Sequence, residues 1–488
     1  MGRALRTGTL FLFLRRSHVT LIRPHVLVLK ENTLGKDGPL VRQVCGILIP
    51  EGDFQATKAY MKAVAFSMAA GRRPLSRVML TRFGCYNISK LRKAYIMGKT
   101  HFDESKAGFT PILAMEEASR CLLCLDAPCS KMCPAGTDPA KFIRSLRFKN
   151  VKGAARTIRT NNPLGAVCAR VCPTEHYCQA GCSRSGIDRP IDIGRLQRYI
   201  TDQEDLFNLR VYERKKPNGK RVSIVGSGPA GLTASAYLAL EGYEVSLYDK
   251  APKAGGYLRY GIPEYRLPEA ILDKEIRRIF SLGVSFFPNT EISDLEPLKK
   301  EYDAVLVADG FSQGKMLPLF EHCSKAITAV EFLKKAKAGR IRMSKHVLII
   351  GGGDVAMDVA TTCKKLGASQ VTDVVYETFP EFKASQAELS LAREENVSIY
   401  DGFVPVSVKR GGLVGFDHRY ENIHIDVKAD LIVLAVGQMR SSEALGKPED
   451  QGNLFYAGDI VEGDKTVVHA VKTGKLAAMR IIAHLGGK

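Results

Sequence analysis

No apolar run in the 488 residues approaches the length of a bilayer span, so no transmembrane helix is expected. No secretory leader is expected either. Leu10 to Leu14 is apolar but short, and Arg15 and Arg16 follow it directly; a leader needs a longer apolar core and a small-residue cleavage site. Without a secreted context a disulfide framework is the weakest use for the cysteines. Only one Cys-x2-Cys pair occurs, whereas zinc sites usually show two. Acidic residues are scarce at the start. Residues 1–96 hold 17 Lys and Arg against 4 Asp and Glu, the first being Glu31, and so carry +13 of the formal +20. The remaining residues carry only +7 and show no basic stripe interleaved with aromatics, which excludes an obvious nucleic-acid surface. The basic extension is compositionally compatible with a mitochondrial presequence, or with translated upstream sequence ahead of a working start near Met97. Past Lys30 it shows no sustained period. Its Cys45 and Cys85 lie far from the other cysteines, and residues 1–96 are assigned no function.

What the chain does have is cysteine, concentrated in one stretch. Eight of its twelve cysteines lie between Cys121 and Cys182. The first run is Cys121-x2-Cys124-x4-Cys129-x3-Cys133, followed by Pro134. The second is Cys168-x3-Cys172-x5-Cys178-x3-Cys182, with Pro173 after Cys172. Four close thiolates are what an iron–sulfur cluster needs: soft, deprotonated sulfur holds iron, and tight spacing lets a short loop wrap one cube. Grouped by proximity, each run would hold one cluster, Cys168 included. The ending Cys-x3-Cys-Pro is also that of the bacterial two-cluster pattern, in which the last cysteine of a run ligates the other cluster. Zinc is the next reading.

Around the cysteines the expected elements are short helices. One runs from Ala114 toward Arg120 and Cys121. Asp138 can cap another, with Pro139 at its first position. Residues 151–160 form a third, and a linking helix starts near Ile191. Lys215 to Gly219 marks a boundary. Residues 97–215 are therefore expected to form a helical domain.

Beyond that boundary lie two βαβ patterns. In the first, an apolar run precedes Gly226-Ser-Gly228-Pro229-Ala230-Gly231, a helical stretch comes after it, and a second strand ends in Asp249. Gly-x-Gly-x-x-Gly alone is weak, but strand, glycines, helix, strand and acid in this order are a dinucleotide fingerprint. Gly226 makes the turn, Gly228 admits a pyrophosphate to the helix N-terminus, Gly231 allows helix–strand packing, and Asp249 suits a ribose hydroxyl. The second pattern is Gly351-Gly-Gly353-Asp354-Val-Ala356, with a further strand ending at Glu377. An acid there accepts from a free 2′-hydroxyl and repels a 2′-phosphate, so NADH is expected over NADPH. Near the C-terminus a strand leads to Gly458 and Asp459, and a helix starts near Thr466. In a two-dinucleotide flavoprotein such a strand returns to the flavin domain, with the Asp on the ribityl–phosphate. The expected domains are thus 216–344 and 445–488 for FAD and 345–444 for NADH. Both should be Rossmann-like α/β sheets nested one in the other.

From about Phe109 onward these residues resemble the family containing the glutamate synthase small subunit and the N-terminal part of dihydropyrimidine dehydrogenase. The run Gly255 to Pro268 and the run Ala435-Val-Gly-Gln438 are specific marks of it. Cys172-x5-Cys178 and Ile193-Gly-Arg-Leu-Gln197 place the likeness on the dihydropyrimidine dehydrogenase branch. The resemblance implies that Cys121, Cys124, Cys129 and Cys182 hold one [4Fe-4S] cluster, and that Cys133, Cys172, Cys178 and Gln197 hold the other. Cys168 is then left without iron. It also implies FAD contacts from Gly256, Leu258 and Arg266. The implied activity is that of a cytoplasmic electron-input subunit. It would pass electrons from NADH through FAD and the clusters to an FMN- and iron–sulfur-containing partner that reduces uracil or thymine, or runs the reverse. No side-chain acid or base is named. The rival readings are an NAD(P)H-fed adaptor like the glutamate synthase small subunit and a non-enzymatic redox-sensing or metal-binding protein. Asp309 departs from the family, which has a small or apolar residue there, and the segment Val408 to Gly452 is short for the fold.

Overall fold

The computed structural model describes residues 104–441 and 445–486 in full and, ahead of them, only backbone strands between Phe13 and Leu48. The chain divides into units at residues 1–94 and 95–488. In the first, Phe13–Leu14, Ser17–Arg23, Val26–Asn32 and Arg42–Leu48 pair antiparallel in chain order. The pairing runs past Lys30, where the sequence shows no period, with Leu29 opposite Cys45. Cys85 and Met97 lie outside the described residues.

The second unit opens with helices Pro111–Ser119, Pro139–Arg147, Val151–Asn161, Gly165–Val171 and Ile193–Leu206. Local chemistry sets their starts. Thr110, Asp138, Asn150 and Asp192 each accept from a backbone N–H three residues on, satisfying a donor the helix leaves open. Phe142, Ile143, Leu146, Ile158, Leu196 and Ile200 pack into one core. Behind them the Arg159 guanidinium is buried against Glu204 (2.7 Å) and Glu275 (2.8 Å). Glu275 belongs to the helix Glu269–Phe280 of the first parallel-sheet domain, so this triad fastens the helical domain to that neighbour.

Two parallel sheets make up the rest. In the first the order is Leu454–Tyr456, Ala304–Val307, Arg221–Val225, Glu244–Tyr248, Val284–Phe287. In the second it is Ala326–Thr328, Leu431–Leu434, His346–Ile350, Gln370–Val374, Ser398–Tyr400. The central strands are buried residue after residue, because helices cover both faces. The sheet completed by residues 454–456 therefore encloses the whole of the second sheet between two of its strands. An antiparallel sheet of Phe403–Lys409, Leu413–His418 and His424–Lys428 flanks the second domain and fills much of the segment that looked short.

The expected boundary at 344/345 needs correction. Ala326–Thr328 pairs with Leu431–Leu434, and the adjoining helix Ala329–Lys337 buries Ala329, Phe332 and Leu333 in the second domain's core. A three-residue edge strand carries no glycine fingerprint and too short a period to be read in advance. Gln313–Gly314 pairs with Gln438–Met439, joining the two crossover segments.

Candidate functional site: two cysteine cavities and two glycine turns

The two cysteine runs do not close on themselves. Cys121, Cys124, Cys129 and Cys182 line one cavity, with Leu122 and Arg184 at its wall. Cys133, Cys168, Cys172, Cys178 and Gln197 line a second, with Tyr177 and Val468 beside them. Grouping by proximity in sequence is thereby corrected: the last cysteine of each run goes to the other group. The local reason lies in the loop. Leu123 turns through the left-handed region (φ +54°) between Cys121 and Cys124, and Cys129 rides the short helix Pro128–Lys131. Cys133 falls just past that helix, in a turn closed by Gly136 N–H to the Cys133 carbonyl (2.9 Å). Among the described residues no three His, Cys, Asp or Glu side chains converge on one point, as a mononuclear ion would require. The thiols instead surround open volumes.

Ion pairs hold the outer loop. The Glu117 carboxylate accepts from Arg120 (2.7 Å), Arg189 (2.9 Å) and the Asp192 N–H (2.7 Å), and Arg184 pairs with Asp188 (2.8 Å). Burial alone would raise the Glu117 pKa. The Asp192 N–H and the two guanidiniums more than offset this and hold it below the usual range. In the inner cavity Gln197 is buried and its amide nitrogen donates to the Gly165 carbonyl (2.7 Å), which fixes the amide so that its oxygen is the atom left for a metal. Thr137 N–H points at Cys133 Sγ (3.4 Å) and Ile191 N–H at Cys182 Sγ (3.5 Å). Burial pushes Cys129 up to about 11 and Cys168 up to about 12, with Cys172 and Cys178 also raised. Burial thus favours the protonated form of these four thiols, and any of them that takes up metal must release its proton.

The first glycine turn sits at the end of Arg221–Val225. Gly226 has φ +103°, and a Cβ there would lie 2.3 Å from the Ala308 carbonyl oxygen. A Cβ on Gly231 would meet the Gly226 carbonyl at 1.9 Å, so only glycine lets helix Pro229–Leu240 sit this close. Gly228 faces open space within the turn, save that Gly256 approaches it from the opposite wall, where a Cβ would lie 2.8 Å from the Gly228 Cα. Leu258 is buried behind Gly256. Gly458 lies against Ala230, and the neighbouring Asp459 carboxyl is raised by burial. Thr466 caps the long helix Val467–His484 and its hydroxyl lies 3.3 Å from that of Tyr177, which also donates to Asp464 (2.9 Å). Asp249 lies at the same turn, but its carboxylate is taken up within it, accepting from Ser227 N–H and Ala251 N–H (2.8 Å each). Asp309 is neutralised by a two-pronged Arg440 guanidinium (2.9 and 3.1 Å). Arg266 follows Gly256 by ten residues in the same run. Its guanidinium is buried and paired with Asp358 (2.6 Å) and Glu388 (3.0 Å), both on helices of the second domain. Spacing within the run Gly255 to Pro268 could not reveal a partner 92 residues away.

The second turn repeats the first. Gly351 has φ +152° with the Ala435 carbonyl 2.4 Å from a would-be Cβ; Gly353 is open; Ala356 is fully buried. Asp354 accepts from Ser385 N–H (2.6 Å). Glu377 reaches over Gly352 and pairs with Lys383 (2.7 Å), a lysine the sequence did not single out. Arg419 stacks on Tyr376, 3.9 Å from the ring centre.

Residues 98–208 match the family model described as dihydropyrimidine dehydrogenase domain II, 4Fe-4S cluster, and residues 220–467 match that of the pyridine nucleotide-disulphide oxidoreductases. The chain is thus an iron–sulfur pyridine-nucleotide oxidoreductase, with iron–sulfur, FAD and NAD as its cofactors. It is 53% identical over 407 residues to the NAD-dependent dihydropyrimidine dehydrogenase subunit PreT of Escherichia coli O157:H7, covering 80% of this chain and 98% of that one. To the PreT subunit of Salmonella typhimurium it is 51% identical over 405 residues, covering 79% and 98%. It belongs to the family of NAD-dependent dihydropyrimidine dehydrogenase PreT subunits. A more distant likeness is the thioredoxin reductase of T. acidophilum, 18% identical, covering 54% of this chain and 98% of that one at a TM-score of 0.45. Among the described residues no helix is long and apolar enough to cross a membrane.

Proposed function

We propose that this chain is the electron-input subunit of a cytoplasmic NAD-dependent dihydropyrimidine dehydrogenase. It takes reducing equivalents from NADH and delivers them to an FMN- and iron–sulfur-containing partner that interconverts uracil or thymine and the 5,6-dihydropyrimidine. The observation that carries this is the sorting of the eight cysteines, four to each of two cavities with Gln197 beside the second four, next to a two-dinucleotide fold. Cys121, Cys124, Cys129 and Cys182 would hold one [4Fe-4S] cluster. Cys133, Cys172, Cys178 and the Gln197 oxygen would hold the other, with Cys168 a buried thiol outside it. When bound, FAD turns the two-electron hydride of NADH into single electrons, which iron–sulfur clusters take one at a time.

The chain's own residues bind, orient and insulate. The open turns at Gly228 and Gly353 present helix N-termini to the two pyrophosphates. Gly256 and Gly458 close the flavin crevice with backbone, and Asp459 stands at its ribityl end. Glu377 accepts from the ribose 2′-hydroxyl of NADH and opposes a 2′-phosphate. Asp249, already accepting from two N–H groups and the Ser227 hydroxyl, shapes the flavin turn and reaches a ribose hydroxyl only with its remaining lone pairs. No side chain is assigned a proton to move.

The test is anaerobic NADH oxidation by the purified chain, alone and with an FMN-bearing partner and uracil, with iron and flavin assayed alongside. Dihydrouracil formed only with the partner is the expected result. Dye reduction without pyrimidine turnover would redirect the chain to another acceptor, and well-folded protein lacking both iron and flavin would overturn the reading.

A further inference from the structure

One cation crosses from the flavin domain into the inner cysteine loop. Lys475 lies on the helix Val467–His484, which packs along Pro229–Leu240 so tightly that a Cβ on Gly474 would lie 2.3 Å from the Ala230 carbonyl oxygen. Its ammonium leaves that helix and ends 3.4 Å from the carbonyl oxygens of both Ala135 and Asn161, with the Tyr237 ring centre 5.6 Å away. Ala135 is two residues past Cys133, in the turn whose Thr137 N–H meets the Cys133 sulfur. Both hydrogen-bond partners of this ammonium among the described residues are carbonyl oxygens. Burial lowers its pKa, and the negative charge of a Cys133 thiolate acts in the opposite direction.

Given the ligand set assigned above, we propose that Lys475 holds a positive charge against the Cys133 turn and thereby raises the reduction potential of the inner cluster. Reduction adds one electron, hence one negative charge, to a cluster. A fixed cation nearby stabilises that charge more strongly in a half-buried setting than in water. Net charge and hydrogen bonds to sulfur are among the levers that set cluster potentials. The lysine arrives on the helix that begins at the flavin crevice, so the field at the inner cluster is complete only when the flavin domain is docked.

The experiment is a mediated anaerobic redox titration of the holoenzyme read by electron paramagnetic resonance, for the wild type, Lys475→Met, Lys475→Arg and Lys472→Met. Lys472 is exposed on the same helix and controls for net charge. Lys475→Met is expected to lower the midpoint of one cluster signal by about 59 mV, a tenfold change in its electron occupancy for a one-electron couple. Lys475→Arg is expected to stay near the wild-type value, and so is Lys472→Met. A Met variant whose two signals both keep their midpoints overturns the proposal. So does an Arg variant shifted as far as the Met variant, since the contact would then be structural. Wild-type protein with iron–sulfur absorbance lacking altogether would instead overturn the cluster assignment itself.

Discussion

The outer and inner cysteine cavities are built from the same two runs of sequence by different physics. The outer one is a surface loop held by ion pairs between its own neighbours, Glu117, Arg120, Arg184, Asp188 and Arg189. The inner one is buried among helices, with Val468 lining it from the flavin domain and Lys475 of the same helix reaching the neighbouring Cys133 turn. The contrast teaches that chain proximity assigns a cysteine to a loop, while packing assigns it to a cavity. A site exposed at the surface can load and shed metal locally, whereas one walled by two domains depends on their docking.

The sharpest way to break this comparison is Cys182→Ala. Crossed pairing predicts loss of the outer cluster alone, roughly half the iron, with the inner resonance signal retained; loss of the signal that responds to Gln197→Leu would restore grouping by run. Next comes Arg159→Ala, at the junction that supports the inner cavity. It leaves the buried Glu204 and Glu275 to Arg278 alone among the described cations and should cost up to about 3–5 kcal/mol in chemical denaturation, more than Arg189→Ala at the exposed rim.

A smaller effect separates the two by pH. The folded Glu117 pKa lies below its unfolded value. Its contribution is therefore complete above the usual glutamate range and is lost as pH falls through the depressed folded value. The wild-type melting temperature should fall across that acid window, and Glu117→Gln should flatten the fall; an unchanged slope would remove Glu117 from the account. Smallest of all is Cys168→Ser. The thiol lines the inner cavity but is spare in the crossed ligand set, so iron content should hold and stability should drop by only about 1–2 kcal/mol for a buried hydroxyl. Loss of iron would make Cys168 a ligand.

Much of the molecule is legible in its sequence where chemistry is local. The glycines at 226, 231 and 351 sit where backbone oxygens lie 1.9–2.4 Å from a would-be Cβ, a constraint that leaves glycine no substitute and so writes itself into spacing. Asp138 caps its helix as its position next to Pro139 suggests. What is illegible is tertiary. Nothing near Arg266 in the sequence announces its partners Asp358 and Glu388. Asp309 looks misplaced beside a flavin until Arg440, far along the chain, is seen to neutralise it. The strand Ala326–Thr328 is too short to show a period, and only its partner Leu431–Leu434 reveals which sheet it serves. Lys475 is one of many lysines in the sequence; only the fold brings it to the Cys133 turn.

The return of Leu454–Tyr456 to the edge of the first sheet has a consequence in time. Its neighbour Ala304–Val307 leaves the ribosome well before it, with the whole second sheet made in between. At about 5–20 residues per second, roughly 150 residues take about 7–30 s to synthesise. Throughout that interval the earlier strand presents a row of unpaired backbone groups, the kind of edge on which chains aggregate. A nested flavin domain thus leaves this edge open to mispairing until Leu454–Tyr456 has been made.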